Sequence, residues 1–302
     1  MSGPSSSSGL QRIRAFTITA EDIEACARAY VEWFGYSMSE LSTVPASVAR
    51  LWGAPRVAGL PQVLLRPPGQ SEVVVRLVQQ STVPGYAPLR TAGWNAMEVL
   101  VADPYELAVR LAGSPFRVVV PPRPLPFDAD IHAMQVIGPA NELLYMTALP
   151  VNRTILDLRP ARTPVDQPFI AVLGAADLDD VLPFYSGRLH TRTIAPAPVI
   201  VRIVNEAYGL ADENAIRMGI VKLPKDYLIE ADEYPPQVRP RPRRDGELPP
   251  GIAMLTFVAG DLEALDVPWR HAPQVLAGSP YDGRRAGVTV GAAGEWIELL
   301  EA

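Results

Sequence analysis

The chain has 302 residues, 48% of them hydrophobic and 20% charged, with a net charge of −6 and a pI near 5.2. That length accommodates two ordinary domains, and the composition excludes a disordered chain. The acidic balance argues against nucleic acid and against a membrane surface as the main partner. Cys26 is the only cysteine, so no intrachain disulfide can form; set among alanines in a helical pattern, it reads as a buried, inert thiol. Residues 1–11 are Ser/Gly-rich without an apolar core, which predicts a disordered tail and not a signal peptide. No apolar run approaches the roughly 18 residues of a membrane span, and the expected location is cytoplasmic.

In chain order, one pattern then recurs four times. Residues 13–19 (IRAFTIT) read as a strand, followed by Asp22 and an amphipathic helix carrying Tyr30 and ending near Gly35. A second unit starts at Trp94–Val101, with Asp103 and the helix PYELAVRLAG. Residues 169–174 (FIAVLG) open a third, with Asp177, a short helix, Tyr185 and Gly187. The fourth starts at residues 252–258, with Asp261 and a stunted helix that Pro268 closes off. Each aspartate suits an N-cap or first-turn acid, and each glycine a left-handed C-cap. Apolar last strands are expected at 73–78, 143–149, 218–223 and 296–300. Residues 150–167, with three prolines and alternating charges, have linker composition. A second Pro-rich stretch, 235–250, contains the cluster Arg239 to Arg244, which reads as a solvated loop.

The strand–Asp–helix–Tyr–Gly order resembles the vicinal oxygen chelate (glyoxalase/bleomycin-resistance/extradiol dioxygenase-like) superfamily from about Arg12 to Glu301. The resemblance implies an α+β fold of four βαβββ modules forming two cup-shaped domains, at 12–149 and 168–302. It also implies a small, largely apolar, oxygen-bearing ligand. In metal-binding members a first-strand His or Gln and a last-strand Glu point into the cup. Here the first-strand positions, seven residues before each aspartate, are Ala15, Ala96, Ile170 and Met254, none of which binds a metal. The last-strand positions are Arg76, Tyr145, Lys222 and Glu298. His132, His190 and His271 fall elsewhere, so neither a metal nor a cofactor is expected.

Strand alternation puts Glu98 on the same face as Ala96, so the first cup is expected to hold Arg76, Glu98, Tyr145 and Trp94, and the second Lys222 and Glu298. One reading makes Lys222, Glu298, Glu98 and Tyr145 catalytic by proton transfer, with Arg76 gripping a ligand oxygen. The other makes the charged residues structural ion pairs filling closed interiors, with Trp94 and the helix tyrosines as core. The segment 223–235 crowds Tyr227, Glu230 and Tyr234 among acids, either as a lip over the second cup or as an exposed connection. His132 is a further substrate-binding candidate, or a rim histidine. The chain has no Gly-rich phosphate loop, CxxC pair, GxSxG elbow or HExxH. These observations lead to a metal-independent lyase or isomerase acting on a small molecule, free or as a homodimer. A non-catalytic sequestering protein and a metal-dependent dioxygenase are the alternatives.

Overall fold

The computed structural model describes residues 9–69, 71–152 and 154–302; most of the expected tail lies outside them, and the first strand already begins at Leu10. The first unit runs β1 (Leu10–Ala20), α1 (Ile23–Phe34), β2 (Ser37–Met38), β3 (Ser42–Thr43), α2 (Ala46–Leu51), β4 (Pro61–Arg66) and β5 (Val74–Gln79). The second comprises β6 (Gly93–Val101), α3 (Pro104–Arg110), β7 (Arg117–Leu125), β8 (Asp128–Ile137) and β9 (Leu143–Ala148). The third comprises β10 (Val165–Ala175), α4 (Leu178–Pro183), β11 (Arg192–Val199), α5 (Arg202–Tyr208), β12 (Ile216–Lys222) and β13 (Leu228–Glu233). The fourth comprises β14 (Ile252–Ala259), a single 3-10 turn, β15 (His271–Val275), β16 (Arg285–Val290) and β17 (Trp296–Glu301).

Local chemistry starts each helix as the sequence leads one to expect. Asp22, Asp103, Asp177 and Asp261 each accept a hydrogen bond from a backbone N–H two or three residues on. Gly35 ends α1 in the left-handed conformation at φ 71°. Gly187 does not: it lies inside a π-helical turn, Phe184–Arg188, a wider turn than the α-helix that ends at Pro183.

In every unit the first and last strands lie side by side and parallel: β1 with β5, β6 with β9, β10 with β13 and β14 with β17. Two corrections follow. The last strand of the third unit is β13, formed by the segment read above as a lip or connection. Residues 218–222 belong instead to β12, its antiparallel neighbour, because α5 adds an extra element before them. The units also pair across the chain halves. One sheet runs β15-β16-β17-β14-β1-β5-β4-β2, joining units four and one; the other runs β11-β12-β13-β10-β6-β9-β8-β7, joining units three and two. The expected contents of the two cups are therefore regrouped.

Alternate residues of each sheet face a common core against which α1, α3 and α4 pack their buried sides: Phe16, Ile18, Leu255 and Phe257 from one sheet, Met97, Val99, Ala171 and Leu173 from the other. Strands covered on both faces read as unbroken apolar runs, and β6, β10 and β14 are buried along their whole length. The other face of each sheet carries its own cluster of buried residues.

Candidate functional site: two cups with opposite electrostatics

The parallel registers define four equivalent sites across the first and last strands: Thr17 beside Arg76, Thr256 beside Glu298, Glu98 beside Tyr145 and Val172 beside Glu230. These first-strand residues lie five before each aspartate, not seven. Ala15, Ala96, Ile170 and Met254 share the same face one step further along, opposite Val74, Leu143, Leu228 and Trp296.

The cup of units one and four is filled. Arg76 is fully buried and donates to Glu298 Oε2 at 2.9 Å, to Tyr281 at 2.9 Å, and to Thr17 at 3.0 Å. Glu298 also accepts from Trp52 Nε1 and Tyr281, each at 2.7 Å on Oε1, and from Thr256 at 2.5 Å on Oε2. The guanidinium stacks 4.6 Å from the Trp52 ring centroid. Burial alone would depress the Arg76 pKa, but Tyr281 and Glu298 reverse the direction and hold it charged. Trp52 directly follows α2, whose Val48, Ala49 and Leu51 occupy the same interior. Every carboxylate oxygen is used and a guanidinium sits where a metal would, so this cup does not fit a cation.

The cup of units two and three has the reverse character. Glu98 from β6, with Glu230 and Asp232 from β13, gather without a cation: among the described residues none of the three has an ion-pair partner. Desolvation raises Glu98 to about 7, with Thr147 pulling the other way. Asp232 is raised to about 8 by burial and by Glu98, and Glu230 is raised well above the carboxylate range by burial and both acids. Both Asp232 oxygens and the hydroxyls of Tyr145 and Tyr234 are buried without a hydrogen-bond partner. Burial keeps these phenols protonated, hence available as donors. A cleft of about 630 Å³, counted out to its open mouth, reaches Glu98, Tyr145 and Glu230 between walls that include Arg123, Phe127 and Ile203. Its donors are oxygens alone, Val172 takes one of the four positions, and among the described residues no three acids, histidines or cysteines are placed to hold one ion. The residues do not fit the superfamily's metal centre.

Of the residues singled out from sequence, Glu98, Tyr145 and Glu230 meet in this cleft, with Tyr234 buried in the same cluster. Arg76 and Glu298 belong to the filled cup. Lys222 pairs with neither: at the end of β12, in the other sheet from Glu298, it forms a salt bridge with Asp157. The Lys222–Glu298 pair is thus overturned, because the register that suggested it aligned β12 as a last strand. Trp94 is core, donating to the Trp296 carbonyl at 2.8 Å across the two sheets. His132 contacts Tyr105 at 2.9 Å on the opposite face of β8 from the cleft-lining Ala133 and Gln135. Tyr227 accepts from Gln167 outside the cleft. Sequence reasoning missed Asp232 as a site residue, though two-residue spacing from Glu230 puts both on one face of a strand, and it missed Trp52 and Tyr281, which arrive from loops.

With this geometry in hand, the chain was compared with known proteins. Glyoxalase I from Zea mays superposes at a TM-score of 0.63 with 14% identity, over 96% of this chain and 92% of its own. A Bacillus subtilis protein provisionally described as a dioxygenase superposes at 0.58 with 11% identity, over 97% and 86%. The fold is that of the vicinal oxygen chelate superfamily. No family model matches the sequence, and no curated protein matches it. Identities this low carry the fold and leave the chemistry to the site itself.

Proposed function

We propose that the cleft between units two and three is the working site of a metal-independent lyase or isomerase acting on a small oxygen-bearing organic compound. The observation that carries this reading is a set of buried carboxyls left without a counter-cation, Glu98 and Glu230 at the base of an open cleft and Asp232 buried beside them. A structural role would have given them partners, as Glu298 has. Glu98, titrating near 7, is suited to take a proton from carbon beside a carbonyl. The Tyr145 hydroxyl, kept protonated by burial, then donates to the oxygen on which charge develops. Glu230, whose burial beside Asp232 and Glu98 favours its protonated form, returns a proton at a neighbouring atom or to a leaving group. The first outcome is isomerisation and the second elimination; the proton balance is the same. The single cysteine is compatible with work in the cytoplasm.

The test is solvent-deuterium exchange by NMR on a panel of small enolisable ketones and α-hydroxy ketones. Wild-type protein is expected to exchange at least one of them, with Glu98→Gln slower by about 100-fold or more. No exchange above buffer across the panel, or an unchanged rate in both Glu98→Gln and Glu230→Gln, would sink the enzyme reading. Binding without exchange assigns the cleft to sequestration.

A further inference from the structure

The connection between units three and four builds a second, cationic cleft at the rim of the filled cup. Its walls include Pro240, Arg241, Arg243, Arg270 and Trp296, it holds about 710 Å³ out to its mouth, and no acid lines it. Arg270 lies 4.3 Å and Arg243 5.4 Å from the Trp296 ring centroid, so one indole collects two guanidinium groups. Among the described residues neither arginine has a salt bridge, and Arg270 Nε is buried with no hydrogen-bond partner. Gly53 backs Arg270 so closely that a Cβ there would come within 2.8 Å of Nη2.

Arg241 adds fixed positive charge. It is half-buried and spends its terminal nitrogens on the carbonyls of Trp94, Pro250 and Ile252, tying this loop to β6 and β14, while its Nε also lacks a partner. Burial and the nearby Arg243 both depress the Arg270 pKa, the direction expected of a cation short of an anion. Arg239 to Arg244 is thus not the simple solvated loop that the sequence suggests. Three guanidinium groups drawn together, two of them with a buried unmet donor, are stabilised by an acceptor that carries negative charge.

We propose that Arg243 and Arg270, backed by Arg241 and framed by Trp296, bind a small oxyanion: a phosphate or carboxylate group. Planar guanidinium forks match the geometry of both, and the absence of lining acid leaves the charge open to either.

The experiment is isothermal titration calorimetry of the full chain with inorganic phosphate and, separately, acetate, in low-chloride buffer. At least one of them is expected to bind with a Kd of about 1 mM or tighter. Arg243→Gln and Arg270→Gln should each weaken it about tenfold or more, and Arg28→Gln on α1 should not. Phosphate alone, acetate alone or both identifies the source of the anion, and each supports the site. Should Arg270→Gln fail to fold, Arg243→Gln decides alone. No heat with either anion at about 20 mM, or wild-type affinity in Arg243→Gln, overturns the proposal.

Discussion

Glu298 and Glu98 stand at the same kind of place, on the first or last strand of a cup, yet their surroundings assign them opposite roles. Glu298 has a donor on every side, so its removal is a stability experiment. Glu298→Gln or Arg76→Met leaves one buried charge of the pair uncompensated and should cost about 3–5 kcal/mol in urea unfolding. Under the proposal neither variant alters exchange chemistry in the other cup, once assayed well below its melting temperature. Glu98 has no such partner, and its titration near 7 predicts that exchange rises with pH up to about 7 and then levels off. A pH profile in D2O checks this, and Glu98→Gln should abolish the dependence. Glu98 was legible in the sequence because strand alternation is a local rule. The pairing of Arg76 with Glu298 was not, because 222 residues separate the two and only sheet assembly joins them.

At the scale of elements, each half of the chain repeats one latch. Tyr30 of α1 donates to Glu142 at 2.6 Å, and Tyr185, in the turn after α4, donates to Glu295 at 2.9 Å. Each glutamate sits in the turn before a last strand and also accepts a backbone N–H, from Ala140 or Ala293. Four residues before each glutamate stands a glycine, Gly138 or Gly291, where a Cβ would overlap the carboxylate. The tyrosine eight residues after Asp22 and after Asp177, visible in the sequence as a repeat, thus has a specific job: it ties its helix to the next unit. Gly138→Ala should displace the Glu142 carboxylate and strand a buried hydroxyl and N–H, lowering stability by about 2 kcal/mol or more. Tyr30→Phe should lose about 1–3 kcal/mol, and thermal melts of the two variants and their double measure the coupling. The misreading of β12 as a last strand also belongs at this scale. Strand propensity was correctly seen in 218–222, but the inserted α5 breaks the unit's repeat, and a segment with four acids does not look like an interior strand.

For the whole molecule, the buried acids set the direction of pH dependence. Glu98, Glu142 and Glu295 are raised to about 7 and Asp232 to about 8, chiefly by desolvation. A carboxyl whose folded pKa exceeds its unfolded one favours the native state fully below the unfolded value. That contribution is lost as pH rises through the folded value. The window therefore runs from about 4.5 to about 8, and the melting temperature should be higher at pH 5.5 than at pH 8.5 by about 5 °C or more. Calorimetry at the two pH values checks the sign, and Asp232→Asn should narrow the gap. Asp166, held below its ordinary range despite burial by Arg159 and backbone N–H groups, is ionised throughout that window and does not contribute to the slope. The pairing of units has its own consequence. Limited proteolysis in the irregular stretch 154–163 should leave a nicked protein of unchanged hydrodynamic radius, because β1·β14 and β6·β10 cross the cut. Two dissociating fragments on size-exclusion chromatography would contradict this.

By itself the sequence determined what short-range physics governs: four capped helices or turns, the strands before and after them, the linker composition, and the superfamily resemblance that their repetition implies. Capping, alternation and proline stops act within a few residues, so their signals survive in a linear chain. The tertiary structure alone decided which units share a sheet, which cup is filled, and which carboxylates keep a partner. Those outcomes depend on strand pairing and desolvation between segments far apart in the chain. A glutamate is written the same way in the sequence whether a buried arginine will meet it or not.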